Sequence, residues 1–160
     1  MSEEYKQKLK SSIKDRVAVF IDAANLERSV QDMWVNPKDI TDEFKKYEAD
    51  KLCWRVDYKK FEGFFKEIGN LKKINFYSAN FDIEIAVDAT FTLKDYDTFI
   101  LFSGDCDFEY LLKFLRGQSK TTIVFSRSGH VARELPPACN HYFDIADFRN
   151  EILRIALKTK

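Results

Sequence analysis

One stretch of the sequence constrains the fold more than any other. It reads TFILFSGDCDF over residues 98–108, an apolar run of strand length that ends in a glycine turn and two acids. Apolar residues at helical spacing follow it, from Phe108 to Leu115. This order predicts a buried strand, a tight turn and a helix that begins with acidic residues. In an open α/β sheet such a turn lies at the carboxyl edge of the strands, where ligands bind.

The two acids of this turn, Asp105 and Asp107, allow two interpretations. Either carboxylate can cap the following helix or complement its dipole. One helix start needs only one cap, however, so the second carboxylate favours a metal or phosphate site at the turn.

A second apolar run ends in the same way. Residues 17–21 read VAVFI, and Asp22 follows them directly. A short run of this kind suits a parallel strand that is buried on both faces. Asp22 is then either a turn residue or a site acid at the carboxyl edge. Asn25 either caps the next helix, predicted over residues 26–34, or braces the site.

A third acid follows the strand candidate at residues 73–78. Asp82 begins a helix predicted over residues 82–94, where it is either an N-cap or a partner of the other strand-end acids. Asp88 lies six residues further on, about 9 Å along the helix axis. We expect Asp88 to be either a buried structural acid or a supporting residue of the site.

Strand and helix patterns alternate along the chain. Further strands are predicted at residues 121–125 and 141–145, and a terminal helix at residues 147–157. The alternation predicts a three-layer α/β/α sandwich with a mainly parallel sheet. Right-handed crossovers place every strand-to-helix turn on one edge of such a sheet. That edge gathers the four acids, which repel unless a cation neutralises them, although four separate helix caps are the alternative.

Composition narrows the class of protein. A chain of 160 residues is long enough for one domain, here residues 16–157 after a solvated lead-in over residues 1–15. Lysine plus arginine and aspartate plus glutamate each number 26, so the basic excess of many nucleic-acid binders is missing. No apolar run reaches the ~18 residues of a membrane span. Three cysteines without framework spacing indicate free thiols in a reducing, cytoplasmic compartment and disfavour a structural zinc.

Three motifs of the chain resemble those of NYN domains, the PIN-like nuclease group that includes LabA-type proteins. FIDAANL at residues 20–26 resembles the opening motif, and FDIEIAVDA at residues 81–89 resembles the acidic helix. SGDCDF at residues 103–108 resembles the motif usually written SGDSDF, with Cys106 in place of serine. The resemblance covers about residues 16–148, with the motifs in the right order.

The resemblance implies a five-stranded PIN-like sheet of strand order 3-2-1-4-5, with an acidic pocket that holds Mg²⁺ or Mn²⁺. The implied activity is metal-dependent cleavage of RNA. The implied catalytic and metal-binding residues are Asp22, Asp82, Asp105 and Asp107. The implied supporting residues are Asn25, Asp88 and Ser103.

The expected chemistry follows from the ligand type. An oxygen-only set favours Mg²⁺ or Mn²⁺ over zinc. Such ions orient a water and stabilise the attacking and leaving oxygens of a phosphodiester. The partner we expect is single-stranded RNA, whose backbone needs cationic contacts. Candidates by location are Arg127, His130 and Arg133.

Other classes of function stay open at this point. The chain could be an RNA-binding or regulatory module that keeps the acidic pocket with little or no turnover, which the neutral net charge favours. A small phosphatase would use an acid as nucleophile and form a phospho-enzyme. A receiver-like domain would need a late lysine that we cannot locate. Phe81 and Trp34 are candidates for a homodimer contact or for contact with a base.

Overall fold

The computed structural model of the protein describes residues 2–78 and 81–159. In chain order its strands are β1 (Arg16–Asp22), β2 (Leu52–Val56), β3 (Asn70–Tyr77), β4 (Thr98–Phe102), β5 (Thr121–Ser126), β6 (His141–Asp144) and β7 (Leu153–Leu157). Its α-helices are α1 (Ser2–Ser12), α2 (Ala23–Gln31), α3 (Tyr58–Ile68), α4 (Asp82–Phe91), α5 (Glu109–Gly117), α6 (Leu135–Ala138) and α7 (Arg149–Ile152). Short 3-10 turns fill much of the segment between α2 and β2.

Five strands form one parallel sheet in the order β3-β1-β4-β5-β6. The predicted α/β class and the five-stranded parallel sheet are therefore confirmed. The observed strand order differs from the order that the resemblance implied. Numbered along the chain, the five sheet strands follow 2-1-3-4-5 and not 3-2-1-4-5. The reason is that only β3 lies outside β1, since β2 pairs antiparallel with β7 in a separate sheet.

Helices cover both faces of the parallel sheet, so the three central strands β1, β4 and β5 are buried on both sides. Alternate residues of β1 point in opposite directions. Val17, Val19 and Ile21 join a core that α2 and α3 cover. Ala18 and Phe20 join a second core that α4 and α5 cover. The result is the three-layer sandwich that the alternation of patterns predicts.

Helix α3 packs an aromatic stripe into the first core. Asp57 caps it by accepting a hydrogen bond from the Lys60 N–H at 3.1 Å. Phe61 and Phe65 are buried, and the Phe61 ring lies 4.7 Å from the ring of Phe102 on β4. The stripe is therefore part of the core.

Two predictions about the ends of the chain are wrong. The lead-in is not simply solvated, since Leu9 of α1 is fully buried in the first core. The terminal helix stops at Ile152, and β7 follows it. Leu153 and Ile155 are buried while Arg154 is exposed, which is the period of two that a strand requires.

Pro136 and Pro137 lie in the first turn of α6, where the missing N–H groups have no helical partner in any case. The three cysteines are free thiols, as predicted. Within the described ranges, no helix is both long and apolar enough to cross a membrane.

Candidate metal centre

Two of the strand ends that carry the predicted acids lie where the strand order reverses. β3 lies on one side of β1, and β4 lies on its other side. The crevice outside the carboxyl ends of the strands at such a point is where open α/β sheets bind ligands. Asp22 is the last residue of β1, and Ser103 directly follows β4.

Hydrogen bonds tie these two strand ends together. Ser103 Oγ donates to Asp22 Oδ2 at 3.2 Å, and the Gly104 N–H donates to Asn25 Oδ1 at 3.1 Å. The Asn25 N–H donates to Asp22 Oδ1 at 3.2 Å, which makes Asp22 the N-cap of α2. Asp22 is only 8% exposed, so these donors replace much of the water that an ionised carboxylate needs. Asn25 therefore braces the two turns against each other.

Backbone N–H groups stabilise the turn that carries Asp105 and Asp107. The Asp105 N–H donates to Ser103 Oγ at 3.2 Å, and the Asp107 N–H donates to Asp105 Oδ1 at 2.9 Å. Asp105 thus caps the short 3-10 turn Cys106–Phe108. Ligand atoms of Asp105, Cys106 and Asp107 all lie within 4.8 Å of one another. Capping and ligand binding are therefore compatible here, because the cap uses one oxygen of one carboxylate.

Gly104 brings this turn into close contact with the loop after β5. A Cβ at Gly104 would lie 2.5 Å from the His130 carbonyl oxygen and 2.7 Å from Ser126 Oγ. The Ala132 N–H donates to the Gly104 carbonyl at 2.8 Å. Only a residue without a side chain allows this approach, so Gly104 fixes the position of the following Asp105.

Asp82 joins the cluster from a third strand end. It is the first residue of α4 and not its cap, which is Phe81. Burial first, and then the charges of Asp105, Asp22 and Asp107, raise the pKa of Asp82. Asp82 therefore lies within electrostatic reach of the other three acids. Asp22 and Asp82 do not belong to the group of ligand atoms that lie within 4.8 Å of one another.

Cys106 is exposed beside these acids. Desolvation first, and then the charges of Asp107 and Asp105, raise the pKa of the Cys106 thiol. A raised pKa disfavours the thiolate, which is the form of cysteine that binds metals. The remaining donors are carboxylate oxygens, and this set fits Mg²⁺ or Mn²⁺ and not a thiolate-seeking metal.

Asp88 makes a contact between its helix and the sheet. Tyr77 Oη donates to Asp88 Oδ2 at 2.7 Å, and Asn75 Nδ2 donates to Tyr77 Oη at 3.2 Å. Burial and the bond to Asp88 raise the pKa of Tyr77. Asp88 thereby holds α4 against β3, and α4 carries Asp82.

The three predicted substrate contacts have different surroundings. Arg127 Nη1 donates to the Ser29 carbonyl at 3.1 Å, so its guanidinium lies against α2. His130 and Arg133 are on the loop that packs against Gly104, and both residues are exposed. Arg133 Nε lies 3.5 Å from a carboxylate oxygen of Glu134. Their roles toward a substrate stay predictions.

Sequence reasoning missed a groove between α4 and α5 of about 580 Å³. The apolar residues Ile83 and Ala86 next to Asp82 were a local signal for it, but the facing residues come from another element. A cavity of about 620 Å³ lies at the far end of α2, beside Trp34 and Arg55. None of the four acids lines that cavity, so the smaller groove is the one connected to the candidate chemistry.

The chain is similar to one protein family model, one curated protein and one solved structure. The family model of the NYN domain matches residues 16–146. The "Low amplitude and bright protein LabA" of Synechococcus elongatus is 44% identical over 77 residues, which are 48% of this chain and 41% of that protein. The chain thus spans less than half the length of this curated relative. A solved structure of a Vibrio parahaemolyticus protein of unknown function superposes with a TM-score of 0.63 at 15% identity, covering 88% of this chain and 97% of the other. That likeness shows the fold alone.

Proposed function

The chain belongs to the NYN domain family, and on that premise we propose that it is a metal-dependent ribonuclease. It hydrolyses phosphodiester bonds of single-stranded RNA at the carboxyl edge of the parallel sheet. One observation carries the proposal: Ser103 Oγ links Asp22 at the end of β1 to the turn of Asp105 and Asp107 after β4, at the point where the strand order reverses. Such convergence is typical of a ligand site, and carboxylates are the ligands that hard cations take.

The residues that would hold one or two Mg²⁺ or Mn²⁺ ions are Asp22, Asp82, Asp105 and Asp107. When bound, such an ion supplies Lewis acidity toward phosphate oxygens and lowers the pKa of a water. The protein supplies fixed positions. Ser103 and the Asn25 N–H each occupy one oxygen of Asp22, and an ionised carboxylate has further lone pairs on both oxygens. Ligands that are already ordered lose less entropy on binding.

The protein must also hold a polyanion beside its own acids. The loop in close contact with Gly104 carries His130 and Arg133, and both are candidates for phosphate contacts. The zero net charge means that such contacts have to be local. The free thiols favour a reducing compartment, and we propose the cytoplasm.

A second candidate is an RNA-binding or regulatory module of the same fold with little or no turnover. The contact of Arg127 with the Ser29 carbonyl favours it, because this guanidinium is partly engaged within the protein. A homodimer through exposed Trp34 or Phe81 would suit either candidate, and sedimentation of the full chain tests it.

The test is cleavage of end-labelled single-stranded RNA in Mg²⁺, Mn²⁺ or chelator. Asp105→Asn removes one proposed ligand, and Asp42→Asn is a matched control that removes the same charge from a side chain 92% exposed. We expect metal-dependent products from the wild type and from Asp42→Asn, and a loss of roughly 100-fold or more in Asp105→Asn. Cleavage by a folded Asp105→Asn at the wild-type rate would contradict the site. Tight RNA binding without cleavage under any condition would favour the binding module.

A further inference from the structure

A groove runs between α4 and the start of α5, beside the acidic cluster. Buried side chains of Phe108 and Leu111 form its floor. Ile83 of α4 forms an outer lip and is 76% exposed, which is unusual for a large aliphatic side chain. The full lining is Asp82, Ile83, Ala86, Asp107, Phe108 and Leu111.

The groove and the acidic cluster share two residues. Asp82 and Asp107 line the groove, and both are proposed ligands of the metal. A cation at the acids would hold an anionic group of a ligand. The part of the ligand attached to that anionic group would then lie at the mouth of the groove. In a nucleic acid, the part attached next to a phosphate is a nucleoside.

The walls of the groove suit a base and not a phosphate. Four of the six lining residues are apolar, and the other two are carboxylates. Among the described residues that line it, none is lysine or arginine. A second phosphate placed there would meet negative charge and apolar surface. A flat neutral base could cover Ile83, Phe108 and Leu111, and its amino group could donate to a carboxylate.

We propose that this groove is the subsite for the unpaired base of the nucleotide that adjoins the phosphate at the acids. The inference rests on the proposed function. It adds a structural reason for single-strand selectivity, because a base inside a duplex is stacked and paired and cannot enter a groove between two helices. Ile83 and Ala86 are specificity-determining residues in this account.

The test compares variants on one helix. Ala86→Leu fills the groove, and Ile83→Ala removes its lip. Val87→Ala is the control, since Val87 follows Ala86, is 53% exposed and does not line the groove. The probe is a fluorescent single-stranded RNA of ten nucleotides, and its Kd is measured by anisotropy with Ca²⁺ in place of Mg²⁺, since carboxylates bind both ions. A hairpin duplex of the same length is measured alongside.

We expect Ala86→Leu to weaken single-strand binding roughly 5- to 100-fold, the range for loss of one base contact. Val87→Ala should stay within about twofold of the wild type, and duplex binding should not change. A series of RNAs with one abasic nucleotide gives a second readout. One abasic position should weaken binding by the wild type but cause no further loss in Ala86→Leu, because both changes remove the same contact.

Several results would overturn the inference. If Ala86→Leu and Ile83→Ala bind RNA as tightly as Val87→Ala while the wild type cleaves RNA, the groove holds no base and the proposed function still stands. If the wild type neither binds nor cleaves RNA, both fail together. A change in self-association without a change in RNA binding would assign the groove to a second copy of the chain. Ile83→Ala alters an exposed side chain, so the test holds even if Ala86→Leu misfolds.

Discussion

Substitution of Gly104 by alanine tests how the acidic turn is positioned. The new Cβ would lie 2.5 Å from the His130 carbonyl oxygen and 3.2 Å from Val131 Cα, both backbone atoms of the facing loop. It would also lie 2.7 Å from Ser126 Oγ, whose side chain is buried. Backbone atoms cannot rotate away, so the turn and the loop must separate. That separation strains the 2.8 Å hydrogen bond from the Ala132 N–H to the Gly104 carbonyl.

The size of the effect follows from two contributions. Insertion of a methyl group into a packed site lowers the free energy of unfolding by about 1–3 kcal/mol. Weakening of one buried hydrogen bond removes up to about 1 kcal/mol more. Gly104 does not have a positive φ, so the conformational preference of alanine adds little. For a domain of this size the melting temperature should fall by roughly 3–12 °C.

Urea denaturation followed by circular dichroism measures this change, with Gly63→Ala as the control. Gly63 lies inside α3, and a Cβ there would meet nothing within 4 Å. Alanine at this position should stabilise the protein by about 0.5–1 kcal/mol, because glycine in a helix loses more backbone entropy on folding. The two variants should therefore change stability in opposite directions. A Gly104→Ala protein within about 0.5 kcal/mol of the wild type would refute the argument.

Two further predictions concern the acids and their supports. Asp82→Asn should raise the melting temperature in chelator at pH 7. Folding raises the pKa of the Asp82 carboxyl, so its ionisation disfavours the folded state at any pH above the ordinary range of that pKa. The gain should fade in acid, where the wild-type carboxyl is protonated, and Asp42→Asn should show no such gain. Tyr77→Phe should lower the free energy of unfolding in urea by about 1 kcal/mol through loss of the 2.7 Å bond to Asp88, whereas Tyr110→Phe, at an exposed side chain, should not.

The sequence was sufficient for the class of fold because the key elements carry local signals. β1 and β4 are apolar runs that end in acids, and the helices after them show clear periodicity. The pairing of β2 with β7 was not predictable in this way. Trp54 lies opposite Ile155, about a hundred residues away in the chain, and no local pattern shows such a pairing. The spacing of Ile152, Ile155 and Ala156 fits a helix as well as a strand, and tertiary pairing decides between them.

The sequence was sufficient to predict which acids follow strands at the carboxyl edge of the sheet. Parallel strands with right-handed crossovers bring their carboxyl ends together, so the positions of Asp22 and Asp105 followed from the strands. The individual contacts did not follow, because they join side chains of different elements. The bond from the Gly104 N–H to Asn25 and the bond from Tyr77 to Asp88 depend on how α2 and α4 are packed. The groove beside Asp82 depends on the same packing.

The most direct test of the account is a crystal of the wild-type protein soaked in Mn²⁺ and measured at the manganese absorption edge. We predict an anomalous peak surrounded by the carboxylates of Asp22, Asp82, Asp105 and Asp107. This peak should be lost in Asp105→Asn. A peak at other residues, or no peak at a saturating Mn²⁺ concentration with these carboxylates well ordered, would contradict the claim that the strand-end acids form a divalent-metal site.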